Sequence, residues 1–349
     1  MSASKGKKKD DKPPPATGPG SKIKSLPPDI RRHIVTRMEG LPGVDLRWST
    51  TSIKNLPKEV FLNEECTETA KYLEASNNRI KKLPGTIATL KDLELIDLKN
   101  NQMGSLPGAL IKLKSLKSID VSGNMIKKLP GTMHKAPELV ELNAANNKLK
   151  AVPAKLTTAP NLINLNLSNN AIKSLKKNVY KTPISLNISH NKIKELPAVA
   201  IKNPGIHAID ISHNILEALP AGIENLLCLT RLNVSHNELE ELPSQIGMMK
   251  YLHYLDISHN HLKILPDEIC NLQYALVELY CSHNSLQEFP EQFCKFHKLR
   301  VSLKFLYFRL SRKQQVKRQA SIGSRKFVTI STCTECISLP NYSELDDSV

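Results

Sequence analysis

An asparagine returns along most of this chain at an almost fixed step, and no other feature restricts the possible folds as strongly. Asn78, Asn101, Asn124, Asn147, Asn170, Asn191, Asn214, Asn237, Asn260 and Asn284 follow one another at 23 residues, except for a step of 21 after Asn170 and one of 24 after Asn260. A degenerate unit precedes them, with Thr51 at the asparagine position. Ten units in register mean a repeat architecture. One unit cannot bury its apolar side alone, and stacked units share a continuous core.

Each unit has its own physical logic. Apolar and polar residues alternate ahead of the asparagine with the period of a half-buried strand. Leu165 and Leu167 are therefore predicted to point inward, and Asn166 and Ser168 outward. The asparagine marks a bend, where its amide can serve backbone groups left unpaired, so stacked copies form a structural ladder. Leu-Pro comes next, as in Leu83-Pro84 and Leu242-Pro243. Proline has no N–H to give a sheet, which suits a return segment. An apolar pair three apart, such as Ile223 and Leu226 or Ile269 and Leu272, then seats a short helical turn. The predicted fold class is an α/β solenoid with a parallel concave β-sheet and short helical or irregular convex returns.

The pattern L-x-x-L-x-L-x-x-N-x-L with Leu-Pro, spanning residues 44–299, resembles the leucine-rich repeat family. The 23-residue Leu-Pro unit is similar to the intracellular, Ras-signalling-associated scaffold repeats of the Scribble and Erbin type. That resemblance implies a horseshoe whose concave face holds a protein partner, in small-GTPase or kinase signalling, with no enzymatic activity.

Outside the repeats, residues 1–22 are rich in Lys, Pro and Gly and read as a disordered tail. Residues 23–43 are expected to form an N-terminal capping helix, because Ile30, Ile34, Val35 and Met38 keep helical spacing between Asp29 as N-cap and Gly40 as stop. Residues 300–349 read as a degenerate cap and a basic tail, either disordered or an alternative ending that replaces further repeats. The short unit from Leu175 to Pro183 lacks Leu-Pro, which predicts thinning or altered curvature near residues 153–185.

Charge is uneven. Residues 1–40 carry ten Lys and Arg against four Asp and Glu, and residues 295–349 carry eleven against four. The residues between them carry 28 against 25, so no basic nucleic-acid-binding face is expected there. The basic ends suit weak contact with a membrane or nucleic acid. Seven cysteines at irregular places, with no apolar segment behind the charged N-terminus, point to reduced thiols and a cytoplasmic or nuclear location.

Strand geometry selects the candidate partner-binding residues. Six and four places before each asparagine, side chains face the concave side. Arg231, Tyr254 and Tyr280 form the expected hot spot there, with Glu278, Asp210 and Asp256 around them. Just before the asparagine, the second half of the array carries His190, His213, His236, His259 and His283, of which His213, His236 and His259 are expected to join the partner-binding face. Parallel columns do not converge on one point, so no metal is expected. Protonation of this column is expected to weaken stability or partner binding below about pH 6. Ser321, after Arg318-Gln-Ala, fits a basophilic kinase site. Cys333-Thr-Glu-Cys336 has no second pair to complete a zinc site.

No phosphate-cradling loop, nucleophile elbow or zinc-hydrolase motif occurs, so no catalytic residue, cofactor or small-molecule substrate is expected. The chain reads as a non-enzymatic interaction scaffold. The alternative is a structural or targeting adaptor whose basic tails dock to membrane, cytoskeleton or nucleic acid.

Overall fold

A computed structural model describes residues 23–37, 43–181, 185–199, 205–296 and 299–302. The expected tails, Met38, Gly40, Ser321, Cys333 and Cys336 lie outside the described residues.

One sheet of thirteen strands runs through the described residues in strict chain order. Its strands are β1 (Ile34–Thr36), β2 (Val44–Arg47), β3 (Ala70–Glu74), β4 (Leu95–Asp97), β5 (Ser118–Asp120), β6 (Glu141–Asn143) and β7 (Asn164–Asn166). They continue with β8 (Ser185–Asn187), β9 (Ala208–Asp210), β10 (Arg231–Asn233), β11 (Tyr254–Asp256), β12 (Glu278–Tyr280) and β13 (Arg300–Ser302). From β2 onward every neighbouring pair is parallel. The sheet does not close on itself, and the result is a curved solenoid.

Three apolar positions in each unit build the core. Leu232, Val234 and Leu239 are fully buried, and so are their equivalents Leu255, Ile257 and Leu262 one unit later. Because every unit repeats this arrangement, the core is a ribbon that each strand shares with its neighbours, and stability accrues across unit interfaces. Among the described residues the convex side is made mostly of short 3₁₀ turns, with one α-helix (Glu64–Thr69) in the first return. The proline of Leu-Pro opens most of the turns by accepting at its carbonyl: Ile87 N–H donates to Pro84 O (3.1 Å), Ile246 to Pro243 O (3.0 Å) and Ile269 to Pro266 O (3.1 Å). Proline's missing donor costs nothing at the first position of such a turn.

The unit without Leu-Pro still forms its turn, Lys177–Tyr180, with Lys176 O accepting from Val179 N–H (2.9 Å) in proline's place. The two missing residues come out of the convex return. The sheet passes through in register, with Leu165 opposite Leu186 and Leu186 opposite Ile209.

The expected capping helix over residues 23–43 is not what covers the first repeat. Helix α1 spans only Pro28–Arg31, its N-cap is Pro27 and not Asp29, and no side chain caps it. Ile34, Val35 and Thr36 form β1, which pairs antiparallel with β2, Ile34 opposite Leu46. Three consecutive β-branched residues favour the strand over a helix, and the strand satisfies an edge that a helix would only have shielded. Ile23, Leu26 and Ile30 are buried against the core beside it.

Candidate functional site

The asparagine ladder fixes the geometry from which the concave face is built. Asn237 Nδ2 lies within hydrogen-bond distance of the carbonyls of Ile211 (3.1 Å), Val234 (3.0 Å) and Ser235 (3.1 Å), while its Oδ1 accepts from the backbone N–H of Leu216 (2.9 Å). The same arrangement holds Asn101, Asn124, Asn191, Asn214 and Asn260. Each amide thus ties its own bend to the unit before it. Thr51 closes the series, its hydroxyl donating to Trp48 O (2.6 Å) and reaching Asn78 Oδ1 (3.2 Å).

The residue before each asparagine takes a left-handed backbone. Its φ is 56° at Asn77, 65° at Gly123 and 52–53° at the five histidines from His190 to His283. Asn, Gly and His tolerate this conformation better than most residues, so the backbone selects the column's composition. At Gly123 a Cβ would strike Asn100 Oδ1.

Within the column the histidines stack. Successive ring centroids from His190 to His283 lie 3.9–4.0 Å apart, with 11–13° between planes. The rings are side by side, and no cluster of metal-ligating side chains occurs among the described residues. Desolvation and neighbouring imidazoles hold His213, His236 and His259 below the ordinary imidazole range, opposed by Asp210 at His213 and by Asp256 at the other two.

The Asp/Asn and Ser columns bond to each other along each strand, and the Ser column is more buried than expected. Asp210 Oδ1 accepts from the backbone N–H (3.0 Å) and hydroxyl (2.7 Å) of Ser212, and Asp256 Oδ1 does the same for Ser258 (3.0 and 2.6 Å). Ser168, expected outward, is buried and donates to Asn166 Oδ1 (2.9 Å). These bonds fix the strand edge through Oδ1 of each aspartate, while Asp256 Oδ2 lies 3.5 Å from the Tyr254 hydroxyl.

Arg231, Tyr254 and Tyr280 do come together. Register places Arg231 opposite Tyr254, Tyr254 opposite Glu278, and Asp256 opposite Tyr280. The Arg231 guanidinium lies 4.0 Å from the centre of the Tyr254 ring, and the Tyr254 and Tyr280 rings are 5.4 Å apart. Tyr280 Oη donates to Glu278 Oε2 (3.3 Å). Burial and the nearby Asp256 carboxylate push the Tyr254 phenol up to about 12, and burial and Glu278 raise that of Tyr280, so both remain neutral donors near pH 7.

Beside this cluster the face holds an open depression of about 160 Å³. Ser185, Asn187, Ala208 and Asp210 line it, and Arg231 and Tyr254 wall its C-terminal side. Small side chains at successive units make the space, and large ones bound it. The sequence carries that signal, two small residues followed by Arg and Tyr in one column, but attention to large residues alone passes over it.

The far end of the face is differently furnished. Arg47 pairs with Asp45 (3.1 Å), Lys99 with Asp97 (3.1 Å), and Arg37 lies 4.6 Å from the Tyr72 ring centre. These charges are already matched internally.

A family model described as "Leucine rich repeat" matches residues 69–126, and another, "Leucine Rich Repeat", matches residues 228–249 and 251–272. No curated protein matches the chain in sequence. Among solved structures, the leucine-rich repeat domain of APL1B is similar at 23% identity and TM-score 0.62, covering 78% of this chain and 77% of that one. YopM, a leucine-rich effector protein from Yersinia pestis, is similar at 27% identity and TM-score 0.50, with 66% and 60% coverage. The functional domain of InlJ from Listeria monocytogenes, which includes a cysteine ladder, is similar at 22% identity and TM-score 0.55 over 66% of this chain, which spans 48% of that domain's length. Residues 69–126, 228–249 and 251–272 thus match leucine-rich repeat models, and the open parallel sheet with its asparagine ladder has the fold of a leucine-rich repeat solenoid.

Proposed function

We propose that the chain is a non-enzymatic interaction scaffold that holds a protein partner on its concave face, centred on Arg231, Tyr254 and Tyr280. Leucine-rich repeat domains are general protein-interaction scaffolds, which supports the class. The observation that carries the position is the cation–π pair of Arg231 and Tyr254 at the wall of the depression. Large, pre-oriented aromatic and guanidinium groups beside a recess are what interface hot spots are made of. The remaining columns contribute complementarity. A partner side chain of small or medium size fits over Ala208, with Oδ2 of Asp210 available to a donor.

We place this activity inside the cell, in cytoplasm or nucleus, and in small-GTPase or kinase signalling, on the resemblance of the units to scaffold repeats of that class. The experiment is affinity capture with the wild type beside Arg231→Ala/Tyr254→Ala. The scaffold role at this position requires that a set of proteins retained by the first be lost from the second.

A further inference from the structure

The near balance of charge across the repeats conceals a sorted surface. After each asparagine the chain is extended, and the second residue on goes into the core: Ile80, Leu149 and Ile193 are fully buried. Alternation therefore turns its two neighbours outward on the same flank. Those neighbours are Arg79 and Lys81, Lys148 and Lys150, and Lys192 and Lys194, all exposed. Lys127 and Lys173 occupy the same flank in the units of Asn124 and Asn170 and are also exposed, whereas the Asn101 unit places Gln102 and Gly104 there. Of these eight cations only Lys194 lies within ion-pair distance of a carboxylate among the described residues, that of Glu217 (3.0 Å). From Asn78 to Asn191 the band extends roughly 24 Å, at about 4.8 Å per strand. It then reverses sign, with exposed Glu217, Glu238, Glu240 and Glu241 in the next two units.

We propose that this asparagine-side flank, from Arg79 to Lys194, is a docking surface for an anionic lipid bilayer, independent of the concave face. Two features separate a bilayer from other polyanions. The band is almost entirely lysine, a hydrated point charge suited to a diffuse field of headgroups, and it has no exposed aromatic ring for a base to stack on. In three of its six units it is two cations deep, broader than the track a nucleic-acid backbone needs, and Met125, 46% exposed, projects from it where an apolar side chain can enter the headgroup layer. A second copy of the chain matches poorly. Its four glutamates are too few, and Glu217 and Glu238 are already engaged by Lys194 and His261.

The test is co-sedimentation of the full chain with phosphatidylcholine vesicles, with and without phosphatidylserine, for the wild type and for Lys127→Glu/Lys148→Glu/Lys150→Glu/Lys173→Glu. A parallel variant with glutamine at the same four positions removes charge without reversing it, and thermal melting verifies that each variant is folded. Expected are phosphatidylserine-dependent binding by the wild type, weakening with added salt, a loss of affinity of about tenfold or more on reversal, and an intermediate loss with glutamine. Absence of phosphatidylserine-dependent binding overturns the assignment. So does equal binding by wild type and variants, which would place attachment in the basic ends. Vesicle binding that survives reversal while binding to a double-stranded RNA probe is lost would assign the flank to nucleic acid instead.

Discussion

The imidazole rings of His213 and His236 stack with centroids 3.9 Å apart and 12° between their planes. Both sit in a left-handed backbone position, so the stack is a consequence of the bend and not of a ligand set. Five such rings in contact tolerate charge poorly. Desolvation and neighbouring imidazoles already depress His213, His236 and His259 from their ordinary value of 6.5. A histidine that prefers to be neutral in the folded state binds its proton more readily in the unfolded chain. Its contribution is therefore complete above pH 6.5 and is lost as pH falls below that value. Thermal midpoints are expected to be level above pH 7 and to decline toward pH 5. His213→Asn/His236→Asn, which keeps side chains tolerant of the bend, should show a shallower decline. A flat profile in the wild type would remove the stack from any account of stability.

Asn237→Ala should destabilise the repeat array by about 1–3 kcal/mol, because the Leu216 N–H and a set of carbonyls lose their partner inside the fold. Urea unfolding measures it. The same change at the exposed Glu240 should leave the midpoint within error.

Thiol labelling separates the cysteines by environment. Burial pushes the thiols of Cys66 and Cys281 up to about 12, whereas Cys228 is only half-buried. Maleimide applied to the native protein should modify Cys228 well before Cys66 or Cys281, with sites read by peptide mass spectrometry. Early modification of Cys281 would mean that the last units open readily.

Most of the solenoid was legible in the sequence because its determinants are local and repeated. The positions of Leu165 and Asn170 each state the same instruction ten-fold, the Leu-Pro pair repeats it in most units, and strand direction follows from the period. The N-terminal cap was not legible. Four apolar residues at helical spacing cannot outweigh the β-branched run Ile34–Thr36 once an open strand edge at Val44–Arg47 is available, and that edge exists only in three dimensions. The candidate site was half legible. Arg231 and Tyr254 stand out by residue type, but the depression over Ala208 depends on small residues, which carry no signal until their neighbours are placed. The basic flank was hidden by summation, since net charge adds Lys150 to Glu240 although they lie on separate units.

The most direct measurement is the comparison of proteins retained by the immobilised wild type, by Arg231→Ala/Tyr254→Ala and by the lysine-to-glutamate flank variant. If the concave face is the working surface, loss of the two side chains should reduce affinity for the retained partner by about 30-fold or more, the scale of a hot spot of 2 kcal/mol, while the flank variant keeps it. Retention of the same partner with equal affinity by the concave double variant would contradict the account.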